Sequence, residues 1–381
     1  MGREQEAASE KIACIERLRA LAVLSVVVHH INWNLLPLSK EGFYKYFDGS
    51  VGVDLFFAIS GFVIARSLLP QLESVVDKKH FWSVAIGFWT RRAFRLLPSA
   101  WLWLAIILAL SIFYNRTGAF GSVSTNIGAT VAGILNIANI RFADAFNNYF
   151  YGGSFVYWSL SLEEQFYLLF PIVAFLLRRW LPSFLLGTFI LMLFFEKNMW
   201  GVAFRTEALT LGILLAFIER SSFYRTIEPK AMRHKLLAVV VVTLLLSFLV
   251  FMPVKAINLY QQRYTIIAVN SAVLVWLASY NCGYIMPISK ISSFAEYIGA
   301  RSYAIYLIHV PVFYAVRETC FRLQLALPSV VLVMISMGLI IAFAELNYRW
   351  IETPLRRRGA ILAQRFSGSS VGGQSEPRLS M

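Results

Sequence analysis

The chain has little charge and little cysteine. Only 15% of its 381 residues are Asp, Glu, Lys or Arg, against 58% hydrophobic, and the mean hydropathy is +0.63. A soluble protein of this size cannot bury so much apolar sequence, so a polytopic membrane protein is expected. The three cysteines, Cys14, Cys282 and Cys320, make neither a CxxC pair nor an even set. Neither a metal centre nor a disulfide is therefore expected. Acidic residues number 21 against 35 basic ones, a formal net charge of +14. That excess does not read as a nucleic-acid face, because the Lys and Arg residues fall in the gaps between apolar runs, where they set topology. No repeat of roughly 20–50 residues is visible. Glu4, Glu6 and Glu10 precede an apolar run too long for a signal-peptide core, so no cleavable signal is expected.

What is present is a series of apolar runs near 15–36, 51–69, 97–114, 155–177, 182–196, 201–218, 236–253, 263–280, 297–316 and 328–350. An eleventh, 123–140, is interrupted by Asn126, Gly128, Gly133, Asn136 and Asn139 and is too weak to count as a span on hydropathy. With ten spans and an inside N-terminus, one side collects Arg17 and Arg19, then Lys78, Lys79, Arg91, Arg92 and Arg95. The same side takes Arg178 and Arg179, the basic stretch Arg220–Lys235, and Arg356, Arg357 and Arg358. The other side holds scattered single charges. The positive-inside rule thus predicts an all-α bundle of about ten transmembrane helices with both termini cytoplasmic, and 115–154 outside as a re-entrant or surface-lying piece. The expected organisation is a cytoplasmic segment over 1–11, a membrane domain over 12–356 and a disordered cytoplasmic tail over 357–381, rich in Gly and Ser.

Arg19 and His30 sit eleven residues apart in the first run. On a helix that is three turns plus about 20°, so both project from one face, about 16 Å apart along the axis. His29 points about 80° away from that face. Buried Arg and His in a membrane usually mark a substrate path or reaction centre; the alternative is that Arg19 snorkels to the interface while His30 packs between helices. Arg92 and Arg95, within Phe88–Pro98, share a face three residues apart, with Pro98 expected to open the next helix. Paired guanidinium groups suit a phosphorylated ligand, or else serve as a stop-transfer cluster. Glu163, in the run Trp158–Pro171, is expected near the outer end of its helix. It needs a partner such as Arg205, a histidine or a substrate hydroxyl, and Asp54 poses the same question. His309 places a further histidine in a membrane helix.

The order of these features resembles the integral-membrane acyltransferase family 3, bacterial enzymes that O-acylate surface glycans and related acceptors. The resemblance rests on Arg19 and His30, GVDLFFAISGF at 52–62, RRAFRLLP at 91–98, WSLSLEEQFYLLFP at 158–171, SYAIYLIHVP at 302–311 and IETP at 351–354. It implies transfer of an acyl group, acetyl by default, from cytoplasmic acyl-CoA to a hydroxyl of a carbohydrate or lipid-linked glycan at the outer face of the bacterial inner membrane. In that reading Arg19, Arg92 and Arg95 bind the donor and His30 and Glu163 are catalytic. His30 serves either as general base or as acyl carrier, and Asp54, Arg205 and His309 support the site. Neither metal nor nucleic acid enters. Some relatives carry an extra extracytoplasmic hydrolase-like domain, so the membrane core or a separate partner is expected to complete the transfer. The rival class is a secondary transporter or glycan flippase, which buried Asp, Glu, Arg and His would also suit. Against it stand the missing internal repeat and the scarcity of matching Gly/Pro-broken helices.

Overall fold

A computed structural model describes residues 12–36, 42–146, 148–195, 198–252 and 262–368. Among these residues the chain is helical throughout, and the one extended pairing is an isolated bridge between Asn32 and Leu36. The 1–11 segment and the last part of the expected tail, 369–381, lie outside the described residues.

Among the described residues each of the ten apolar runs falls mainly on helix. In chain order these are α1 (Ala13–Asn34), α2 (Gly52–Glu73), α3 (Lys78–Phe113), α4 (Val123–Ile134), α5 (Ala138–Ala145), α6 (Tyr157–Leu177), α7 (Leu181–Phe194) and α8 (Met199–Ala203). They continue with α9 (Glu207–Glu219), α10 (Ser222–Thr226), α11 (Lys235–Phe251), α12 (Arg263–Ser279), α13 (Ser289–Ala300), α14 (Ser302–Arg322), α15 (Ser329–Asn347) and α16 (Thr353–Gly368). Among the described residues five helical stretches are long and apolar enough to cross a membrane: Gly49–Glu73, Lys78–Phe113, Tyr157–Phe194, Met199–Glu219 and Ser329–Phe366. Val123–Ile134, Lys235–Phe251 and Arg263–Ser279 are shorter apolar helices.

The helices divide by composition. On α7, α11 and α15, Leu191, Leu244, Val330 and Met334 are exposed, as expected of helices that are apolar all round and face hydrocarbon. Inside lie α1, α2, α9, α12 and α14, whose apolar side chains form one continuous core. The α2–α9 crossing is close. A Cβ on Gly61 would strike the Leu209 carbonyl, and one on Gly212 the Ala58 carbonyl. Two glycines facing each other's partner backbone bring the axes together, the usual device where apolar burial cannot drive helix association.

Two local readings are corrected. Pro98 does not open a helix. The helix begins at Lys78 behind Asp77, whose carboxylate accepts from the His80 amide at 2.7 Å, and it runs 36 residues through Pro98. At about 54 Å it exceeds the roughly 30 Å hydrocarbon thickness. Residues 357–368 are not a disordered tail but most of α16. This helix lies along the first half of α3, with Ser83 Oγ donating to the Phe366 carbonyl at 2.5 Å and Gly359 against the Phe94 ring. The weak run 123–140, not counted as a span, is two short helices, α4 and the start of α5, broken at Asn136 with φ 55°. A π turn, Tyr348–Glu352, links α15 to α16. There the Asn347 amide donates to Glu352 at 2.8 Å and to Ser99 Oγ on α3 at 3.0 Å.

Candidate active site

Three helices carry charge into one cleft that a fourth helps to line: Arg19 of α1, Ser60 of α2, Arg92 and Arg95 of α3, and Glu163 and Tyr167 of α6. Each is placed by helical phase. Arg92 and Arg95 are three apart on α3, and Glu163 and Tyr167 four apart on α6, so each pair shares a face. Glu163 accepts hydrogen bonds from Ser60 Oγ and from the Tyr167 hydroxyl. Arg19 Nη1 donates to Glu16 at 2.8 Å. The Arg92 guanidinium lies 5.2 Å from the Tyr167 ring centre and 5.7 Å from that of Phe88. Among the described residues no hydrogen bond or ion pair holds Arg92 or Arg95, so their N–H groups face the cleft unengaged. Partly buried arginines that no carboxylate contacts directly are costly in membrane. This arrangement therefore favours an anionic ligand.

The histidines form a second group beside the cleft. His30 Nδ1 lies 2.9 Å from His309 Nε2, with the rings stacked at 5.1 Å and 25°. His309 is fully buried, and its Nδ1 is 3.3 Å from the Ile305 carbonyl. A carbonyl can only accept, so that contact assigns the proton of His309 to Nδ1 and the lone pair to Nε2. His30 then donates from Nδ1 and keeps its own lone pair at Nε2. Phe155 meets the His30 ring edge-on at 5.2 Å. Between the pair and the cleft stands Tyr306, which lines the cleft, lies 5.7 Å from the His309 ring and shares a 2.8 Å hydrogen bond with Ser159. His29 turns elsewhere, its Nδ1 3.4 Å from Asp48.

The cleft thus brings together four of the residues singled out from sequence, Arg19, Arg92, Arg95 and Glu163, and the adjoining pair unites His30 with His309. Glu163, the seventh residue of α6, lines the same cleft as Arg92, and none of its contacts reaches His30. One expectation needs correction. Arg205 does not serve Glu163: its Nη2 lies 3.0 Å from Asp54, with side-chain exposures of 4% and 3%. Its guanidinium is also stacked between Trp158 at 5.0 Å and Tyr264 at 4.7 Å. Arg19 does not reach away from the bundle but is held by Glu16. Sequence reasoning missed Ser60, Tyr167 and Tyr306. Tyr167 was open to discovery as the i+4 neighbour of Glu163. Ser60 and Tyr306 had no local signal, because only the packing of α2 and α14 against α6 gives them partners.

The chain was compared with known proteins. A family model described as "Acyltransferase domain" matches residues 12–345. Peptidoglycan O-acetyltransferase OatA of Listeria monocytogenes is 28% identical over 379 residues, covering 92% of this chain and 56% of the relative. O-acetyltransferase OatA of Staphylococcus aureus is 27% identical over 382 residues, covering 91% and 57%. The chain therefore spans a little over half the length of the curated relatives it matches. No solved structure matches it. With the family model extending over most of the chain, and over every residue of the cleft and the histidine pair, the protein belongs to the integral-membrane acyltransferase family 3.

Proposed function

We propose that the protein is a membrane O-acyltransferase that moves an acyl group, acetyl by default, from cytoplasmic acyl-CoA to a hydroxyl of a carbohydrate at the outer face of the bacterial inner membrane. The observation that carries this reading is the pair Arg92 and Arg95, partly buried, without hydrogen-bond or ion-pair partners, and facing one cleft with Arg19 beside the His30–His309 pair. Guanidinium forks match phosphate oxygens, and coenzyme A carries several phosphates at one end and its thioester at the other. The roughly 16 Å helical rise from Arg19 to His30 suits the extended arm between them.

In the proposed reaction His30 Nε2 takes the proton of the acceptor hydroxyl as its oxygen attacks the thioester carbonyl. The carbon–sulfur bond then breaks, and the imidazolium returns that proton to the leaving thiolate. The products are the ester and coenzyme A with its free thiol. His309 holds the His30 tautomer that has its lone pair at Nε2, a positioning role, while Glu163 helps shape the cleft through Ser60 and Tyr167. A general base of this kind contributes about 10²–10⁴-fold.

Topology supports the direction. Lys78, Lys79, Arg91 and Arg92 of α3 share one side with Arg356, Arg357 and Arg358 of α16, which lies along the same half of α3. The positive-inside rule assigns that side to the cytoplasm. Peptidoglycan is the acceptor named for the Listeria relative, and a glycan of that class is the first acceptor to try here. The deciding experiment supplies labelled acetyl-CoA and a glycan to the protein in nanodiscs. Label should reach the glycan as an alkali-labile ester with the wild-type chain and not with His30→Ala. Glycan labelling by His30→Ala at the wild-type rate would remove His30 from the reaction.

A further inference from the structure

A second cavity opens at the far end of α1 from Arg19. Its volume is about 480 Å³, and Trp33, Thr117, Ser122, Thr125, Phe150 and Arg317 line it. That size suits a small organic ligand.

Its walls are built for exposure. Trp33 sits at φ 68°, in the left-handed region that bulky residues rarely adopt. Its amide donates to the Leu36 carbonyl at 2.8 Å, and its own carbonyl accepts from Arg317 Nη1 at 3.4 Å. Strained backbone of this kind persists only where surroundings enforce it and gathers at functional sites. Yet the indole so held remains 63% exposed, so apolar burial is not what the strain secures. Phe150, 52% exposed, lies over Gly121, where a Cβ would come within 2.5 Å of its ring. Two open aromatic faces are thus surrounded by the hydroxyls of Thr117, Ser122 and Thr125 and by a guanidinium whose remaining N–H groups are free to donate. A residue pair that merely anchored the protein in lipid would have no use for those polar side chains.

The cavity is tied to the reaction centre. The Tyr314 hydroxyl, on its wall, donates to Asn34 Oδ1 at 2.7 Å, and the Asn34 amide donates to the His30 carbonyl at 2.9 Å. Tyr314 is also five residues from His309 on α14.

We infer that this cavity seats the acceptor glycan, with pyranose rings stacked on Trp33 and Phe150 and their polar substituents hydrogen-bonded to Thr117, Thr125 and Arg317, so that one hydroxyl reaches His30. Alternating apolar faces and hydroxyl edges of a sugar ring match this lining. Its Ser122 and Thr125 hydroxyls pair with each other and its Arg317 Nη1 is held by the Trp33 and Asn34 carbonyls, leaving Nη2 and spare hydroxyl lone pairs that a lipid chain could not use. The inference rests on the acyl-transfer reading for its last step, but the seat itself is testable by binding alone.

The test measures saturation-transfer NMR signals of two probes, chitotetraose and an N-acetylglucosamine–N-acetylmuramic acid tetrasaccharide, on the full chain in nanodiscs. Coenzyme A affinity is measured on the same samples. Wild type should bind at least one probe. Trp33→Ala and Phe150→Ala should each weaken binding about tenfold, ~1.4 kcal/mol, with coenzyme A affinity unchanged, while Trp33→Phe keeps most of it. Preference for the acidic probe, lost in Arg317→Gln, would assign a carboxylate to Arg317; equal binding of both probes would assign hydroxyls. Undiminished probe binding in both alanine variants, or no binding of either probe by wild type, would overturn the seat. Probe binding without any coenzyme A affinity would instead leave the seat standing and defeat the donor assignment.

Discussion

Nδ1 of His30, on the first helix, lies 2.9 Å from Nε2 of His309, 279 residues further along the chain. The contact orders the protons of both rings, because His309 Nδ1 faces a carbonyl that can only accept. It turns two isolated membrane histidines into one base with a buried support.

This pairing separates the three histidines by experiment. His30→Ala should abolish glycan acylation with membrane insertion intact. His309→Ala should lower kcat by about 10²-fold, within the usual range for general-base catalysis, while KM for acyl-CoA stays unchanged. His29→Ala should keep most activity, since its ring faces Asp48. Full activity in His309→Ala would reduce the contact to packing.

Arg92 and Arg95 should respond to the shape of the side chain and not only to its charge. Lysine keeps the charge but loses the planar fork, so Arg92→Lys and Arg95→Lys should each weaken acyl-CoA binding by about 1–3 kcal/mol. Calorimetry in nanodiscs reads this directly. Unchanged affinity in both variants would leave the pair as a topology signal.

The Asp54–Arg205 pair should behave as structure. Removing one partner of a buried ion pair strands the other and costs about 3–5 kcal/mol. Asp54→Asn and Arg205→Met should therefore lower the thermal midpoint in detergent, and the double variant should recover part of the loss. A drop in activity at an unchanged midpoint would move the pair from packing to chemistry.

The direction of transfer requires that Arg92 and the 115–154 segment face opposite sides of the membrane. Cysteines introduced at Lys78 and at Ser124, both exposed, in a background without the three native cysteines, report this through an impermeant thiol reagent on intact cells. Ser124 should label and Lys78 should not. Labelling at Lys78 from outside would place the arginines where no coenzyme A exists.

The amino-acid sequence by itself determined the helical class and the apolar core of each long membrane helix, though not where α3 begins or that α16 forms, because apolar runs of spanning length have few stable alternatives in a bilayer. It also placed Arg19, Arg92, Arg95 and His30 on their helix faces, since phase follows from spacing along one helix. What it could not supply were contacts between helices distant in the chain. Glu163 needed α2 to bring Ser60, His30 needed α14 to bring His309, and Asp54 found Arg205 only once α2 lay beside the segment entering α9. The docking of α16 on α3 was equally hidden. Gly and Ser further on dominate its composition, and residues 357–368 keep helical order through a partner more than 240 residues away. Local periodicity reports which face a helix can offer; only close packing decides what that face meets.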